Sequence, residues 1–118
     1  MTRYEYLLSS LVLRLSEMNG VSVRITSKDM YLCRALSFSY TKTGKNAELL
    51  NHFAKIAKEN ELTIKTCFVG KSQRLANSDK EWYKKNEQEN EDFFPDMTID
   101  IDKIKMPKEI CEKTLNIS

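Results

Sequence analysis

The sequence predicts a single α+β domain over residues 1–118: a mostly antiparallel sheet of about four strands with helices packed on it, in the order α-β-β-α-β-α-β-α. Three observations carry this expectation. Apolar residues recur at helical spacing in some stretches and alternate with polar ones in others. A chain of 118 residues suits one domain and is too short for two separate cores. Gly (3) and Pro (2) are so scarce that regular elements with short connections should dominate. The apolar fraction of 41% beside a charged fraction of 31% belongs to a globular chain with a well-solvated surface, not a disordered one.

The first helix is expected over about 3–19. Thr2 and Glu5 have the spacing of a capping box, Tyr4, Leu7, Leu8, Leu11, Leu15 and Met18 share a face, and Gly20 is a natural left-handed stop. Val21, Val23 and Ile25 alternate with Ser22, Arg24 and Thr26, the pattern of a half-buried strand. A turn at Ser27, Lys28 and Asp29 then leads into a second strand over 31–42, forming a hairpin with the first. A helix through Leu32, Ala35 and Leu36 is the competing reading.

Beyond Gly44, Asn46 is placed to cap a helix whose apolar stripe is Leu49, Leu50, Phe53, Ile56 and Ala57. Thr63 to Val69 alternates again and ends at Gly70. Lys71 to Asn77 reads as a polar linker. Ser78 and Glu81 repeat the capping-box spacing and open a highly charged helix to about Asn90, closed by Phe93, Phe94 and Pro95. Thr98 to Ile104 suits a short edge strand guarded by carboxylates. Pro107 is placed to open a last helix with Ile110, Cys111 and Leu115 as packing residues.

Several chemistries lack the residues they need. Cys33, Cys67 and Cys111 are far apart and odd in number, with no CxxC pair and no His/Cys run. Neither a metal site nor a disulfide framework is expected, and a reducing, cytoplasmic setting is. No apolar run nears the roughly 20 residues of a membrane span; Leu7 to Leu15 is interrupted by Ser9, Ser10 and Arg14. Thr41 to Lys45 superficially resembles a phosphate loop, but Ser39 stands where its first Gly belongs and Asn46 where its Ser or Thr belongs. No cofactor is expected. Asp96, Asp100 and Asp102 lack calcium-loop spacing and read as solvent-facing edge protection. His52, the one histidine, pairs with Cys67 only in the least implausible nucleophile arrangement, which needs a lowered thiol pKa.

Charge distribution is more informative. Residues 1–77 carry 12 Lys and Arg against 6 Asp and Glu, a net of +6; residues 78–118 carry 7 against 11, a net of −4. The chain thus divides into a basic α-β-β-α-β unit over 1–70 and an acidic helix, edge strand and terminal helix over 78–118. Arg24, Lys28, Arg34, Lys42, Lys45, Lys65, Lys71 and Arg74 are the candidate nucleic-acid contacts. Trp82, Tyr83, Phe93 and Phe94 bracket the acidic helix. With Glu87 and Glu91 they are the candidate contacts to a protein partner.

The leading expectation is a non-enzymatic macromolecule-binding protein, an inhibitor, adaptor or immunity-type protein with a protein partner and no membrane. Small Lys- and Asn-rich chains without catalytic motifs are common in phages and mobile elements, so an antagonist of host defence is the sub-hypothesis by compositional analogy. A nucleic-acid-binding protein using the basic half is the alternative, and a small hydrolase or transferase using Cys67 and His52 the third reading. An edge strand or the aromatic helix leaves a homodimer open.

Overall fold

The computed structural model describes residues 2–37 and 46–105. Its organising element is β1 (Ser22–Ser27), whose alternation buries Val23, Ile25 and Ser27 on one face and half-buries Ser22, Arg24 and Thr26 on the other. On one side β1 pairs with β2 (Thr63–Phe68), Val23 opposite Ile64 and Ile25 opposite Thr66. On the other it pairs with β3 (Met97–Asp100), Ile25 opposite Ile99. Both pairings are parallel, and the sheet runs β2-β1-β3.

This corrects the expected antiparallel sheet of four strands to a parallel sheet of three among the described residues. The cause lies directly after β1. Asp29 Oδ1 accepts the Leu32 amide at 3.3 Å and starts the helix α2 (Met30–Leu36), where a second hairpin strand was expected. Met30, Leu32, Cys33, Ala35 and Leu36 are all buried there. With a helix in that place, the chain returns to the sheet through α3 (Ala47–Glu59), and a crossover of that length permits parallel pairing. The remainder of the expected strand, residues 38–42, lies outside the described residues. So do the Thr41 to Lys45 loop, Lys42, Lys45, Cys111 and the helix expected after Pro107.

The helix α1 (Arg3–Leu15) begins as the spacing predicts, with Thr2 Oγ1 accepting the Glu5 amide at 3.2 Å. It ends four residues earlier than expected; Gly20 is left-handed (φ +64°) but sits beyond a turn at 16–17. Leu7, Leu8, Leu11 and Leu15 of α1 meet Leu50, Phe53 and Ile56 of α3 over Val23, Ile25 and Ile99. Each such side chain contributes about 1.5–3 kcal/mol by leaving water, so this layer dominates stability.

The charged helix α4 (Asn77–Glu91) lies on the opposite, Arg24-bearing face and is docked unusually. Its first turn has no side-chain cap, so the expected Ser78/Glu81 box does not form. The buried Asn86 and, one turn on, Asn90 both donate side-chain amides to the Thr66 carbonyl, at 2.8 and 3.1 Å. Trp82, Tyr83 and Leu75 close a second, smaller core over Met30, Cys33 and Phe68. β3 is shorter than expected because Ile101–Lys103 turns into a single 3-10 turn that buries Ile101. The whole is a compact single α+β domain, and among the described residues no helix is long and apolar enough to cross a membrane.

Candidate functional site

Three parallel strands place their carboxyl ends on one edge. β1 also has a neighbour on each side, so the exits of β1 and β3 flank the kind of crevice in which open parallel sheets hold ligands. Hydrogen bonds occupy that crevice densely. Asp102 Oδ1 accepts from Ser27 Oγ at 2.8 Å and Oδ2 from the Lys28 amide at 2.7 Å. Ser27 Oγ accepts the Asp29 amide at 2.9 Å, and Tyr4 of α1 donates its hydroxyl to Asp29 Oδ2 at 2.6 Å. The hydrogen bond to Asp29, aided by burial, pushes the Tyr4 phenol up to about 12. At the other end of β1, Asp96 Oδ2 accepts the Ser22 amide at 2.8 Å.

Asp96 and Asp102 therefore brace the two ends of β1, and Asp100 accepts the Asp102 amide at 3.1 Å. Asp100 and Asp102, half-buried, thus depart from the expected solvent-facing edge protection, while Asp96 is exposed. Each of the three carboxylates accepts one backbone amide, and among the described residues no three His, Cys, Asp or Glu side chains gather as a metal group.

Beside this crevice and sharing Lys28 and Met30 with it lies an open cleft of about 540 Å³. Its apolar lining is the exposed Val69 and the half-buried Leu75 over the buried Met30 and Phe68; its charged lining is Lys28, from the exit of β1, and Lys71 and Arg74, around a single 3-10 turn at Ser72–Arg74. A Cβ on Gly70 would stand 2.5 Å from the Phe68 ring, so the loop leaving β2 lies directly on that ring and helps to bury it.

The candidate nucleic-acid residues thus divide. Arg24 donates to Asn90 Oδ1 (3.0 Å), the Asn90 carbonyl (3.1 Å) and the Phe93 carbonyl (2.7 Å). Arg34 is bridged to Asp79 at 2.7 Å, both largely buried. Lys65 sits 5.7 Å from the Phe93 ring centroid. Those three hold the fold together, whereas Lys28, Lys71 and Arg74 are exposed and converge.

The candidate partner contacts divide as well. Phe93 is buried, Trp82 is half-buried in the smaller core, and Tyr83 meets Phe68 edge-on at 5.8 Å. Glu87 and Glu91 are exposed, and Phe94 is 87% exposed. Sequence reasoning missed Asn86 and Asn90; two asparagines four residues apart in a helix of Lys and Glu were the available signal.

The structure does not bring His52 and Cys67 together. His52 is exposed on α3, while Cys67 shares the opposite sheet face with Arg24. Burial pushes the Cys67 thiol up, Arg24 opposes that, and Glu87 adds to it. No family model, no curated protein and no solved structure matches the chain.

Proposed function

We propose that this chain is a non-enzymatic binding protein that acts by occupying a surface of a protein partner, as an inhibitor, adaptor or immunity-type protein does. The observation that carries the reading is Phe94. Its ring is 87% exposed beside a buried Phe93, although burying a side chain of that size is worth about 1.5–3 kcal/mol.

The segment that presents the ring is held at both ends. The Phe93 amide donates to the Asn90 carbonyl at 3.2 Å, and Asp96 exchanges two 2.8 Å hydrogen bonds with Ser22. Pro95 restricts the backbone between them. A ring fixed in this way loses little freedom on docking, which favours affinity. Glu91, Asp92 and Asp96 around it are exposed, so the complementary partner surface is an apolar socket with a basic rim. The sub-hypothesis of an antagonist of host defence, from a phage or mobile element, keeps its compositional basis.

The test is affinity capture from the native cell with the intact chain and Phe94→Ala as parallel baits, followed by binding of the purified pair. A partner retained by the intact chain and lost by at least tenfold in affinity with Phe94→Ala supports the reading. A partner bound equally by both, or lost only when Lys71 and Arg74 are replaced, overturns it.

A further inference from the structure

We infer that the cleft between the exits of β1 and β2 is a binding site for a small phosphorylated organic molecule, with the nucleoside phosphates as the class to test. Lys28, Lys71 and Arg74 come from separate backbone positions and converge on one cleft, and no carboxylate is among its described lining residues. Neither ion pair among the described residues involves them; those pairs are Arg34 with Asp79 and Lys55 with Glu59. Three cations lining one cleft raise the local concentration of anions there. Arg74 also offers the planar fork that suits a phosphate.

The cleft also has apolar surface: the exposed Val69 and the half-buried Leu75 lie within reach of those charges, over the buried Met30 and Phe68, and about 540 Å³ is within the ordinary range for a small-molecule site. A site for a bare anion has no use for such a surface; a phosphorylated ligand with an organic body has. The cleft opens at the carboxyl ends of β1 and β2, the end of a parallel sheet at which ligands are held, directly beside the crevice between β1 and β3. The Lys28 amide is pinned by Asp102, so one wall of the cleft is positioned before any ligand arrives.

Nothing here depends on Phe94, and the two proposals fail separately. The probe is ADP, titrated calorimetrically into the intact chain at low ionic strength, with pyrophosphate and adenosine as charge-only and ring-only controls. Saturable ADP binding tighter than either control is expected, weakening as salt is raised. The double substitution Lys71→Ala/Arg74→Ala should weaken it about tenfold or more, and Lys28→Ala should weaken it less. All three side chains are exposed, so circular dichroism and urea melts should match the parent. Phe94→Ala should leave ADP binding unchanged. No saturation in the millimolar range, or ADP binding no tighter than pyrophosphate, overturns the assignment. So does a single-stranded oligonucleotide that displaces ADP with affinity rising with its length, which would make this a nucleic-acid surface.

Discussion

Arg24 and Phe93 are joined twice: the guanidinium Nη2 donates to the Phe93 carbonyl at 2.7 Å, and its central carbon stands 5.7 Å from the Phe93 ring centroid. The same side chain binds Asn90 at the carboxyl end of α4, where a cation also opposes the helix dipole. Arg24 is thus the clasp that closes the acidic helix onto the basic sheet.

Arg24→Ala should therefore lower the unfolding free energy by about 2–4 kcal/mol, because it strands three acceptors and exposes one face of Phe93. Arg24→Lys should recover less than half, since an ammonium cannot fork between the Asn90 and Phe93 oxygens. Urea denaturation of the three proteins checks both. A loss within about 0.5 kcal/mol for Arg24→Ala would mean that α4 is docked by its asparagines and aromatics alone.

What the sequence made legible follows from local physics. The α1 stripe, the alternation of β1 and the apolar stripe of α3 all rest on periodicity within one element, whereas the expected Asn46 side-chain cap of α3 does not form. Strand direction does not. Whether β1 meets a neighbour head-on or in parallel was decided by Asp29 capping α2, one side chain against a Ser-, Thr- and aromatic-rich stretch that favoured a strand. The basic candidates were misread for a related reason. Arg24, Arg34 and Lys65 look like free charge until the acidic half, some 28 to 69 residues away, supplies Asp79, Asn90 and Phe93. Phe93 and Phe94 are equivalent in sequence, and only the turn after α4 decides which one is buried.

The two described glycines separate backbone strain from crowding. Gly20 has φ +64° and open space around it, so Gly20→Ala should cost about 1 kcal/mol through strain alone, and Gly20→Asn less. Gly70 carries the opposite constraint. Gly70→Ala drives a methyl against the buried Phe68 ring and the Lys28 carbonyl, at 2.5 and 3.1 Å, and should cost about 1–3 kcal/mol. Here Gly70→Asn should be worse than Gly70→Ala, reversing the order at position 20. Thermal melts of the four variants decide it; the same rank order at both sites would refute the distinction.

Tyr4 gives a pH signature. Its folded pKa, about 12, lies above the ordinary 10.0, chiefly because its hydroxyl donates to Asp29. A raised pKa means that the fold favours the neutral phenol. The contribution is fully present below pH 10 and is lost as pH rises from 10 towards 12. Tyr4→Phe should cost about 1 kcal/mol at pH 7. The gap between parent and variant should stay constant to about pH 10 and close above it. Ultraviolet titration of tyrosinate should lose a late-titrating component in the variant; if only early-titrating absorbance disappears, the Tyr4–Asp29 bond is not formed in solution.

The thiols supply the last test, because reactivity reads both pKa and access. Burial is the main cause that pushes Cys33 up to about 12 and also raises Cys67. Cys33 is 1% exposed against the floor of the smaller core, whereas Cys67 is only half-buried, on the sheet face that α4 partly covers. Since the thiolate is the nucleophile, both should react with iodoacetamide more slowly than a free cysteine at pH 8, Cys33 far more slowly than Cys67. A Cys111→Ser background isolates the pair. Arg24→Ala should then accelerate alkylation of Cys67 if loosening the end of α4 uncovers it. It should slow alkylation if the helix stays closed and only the favourable charge is lost. Because the two outcomes have opposite sign, one rate measurement by mass spectrometry shows whether the Arg24 clasp acts on Cys67 through access or through its field.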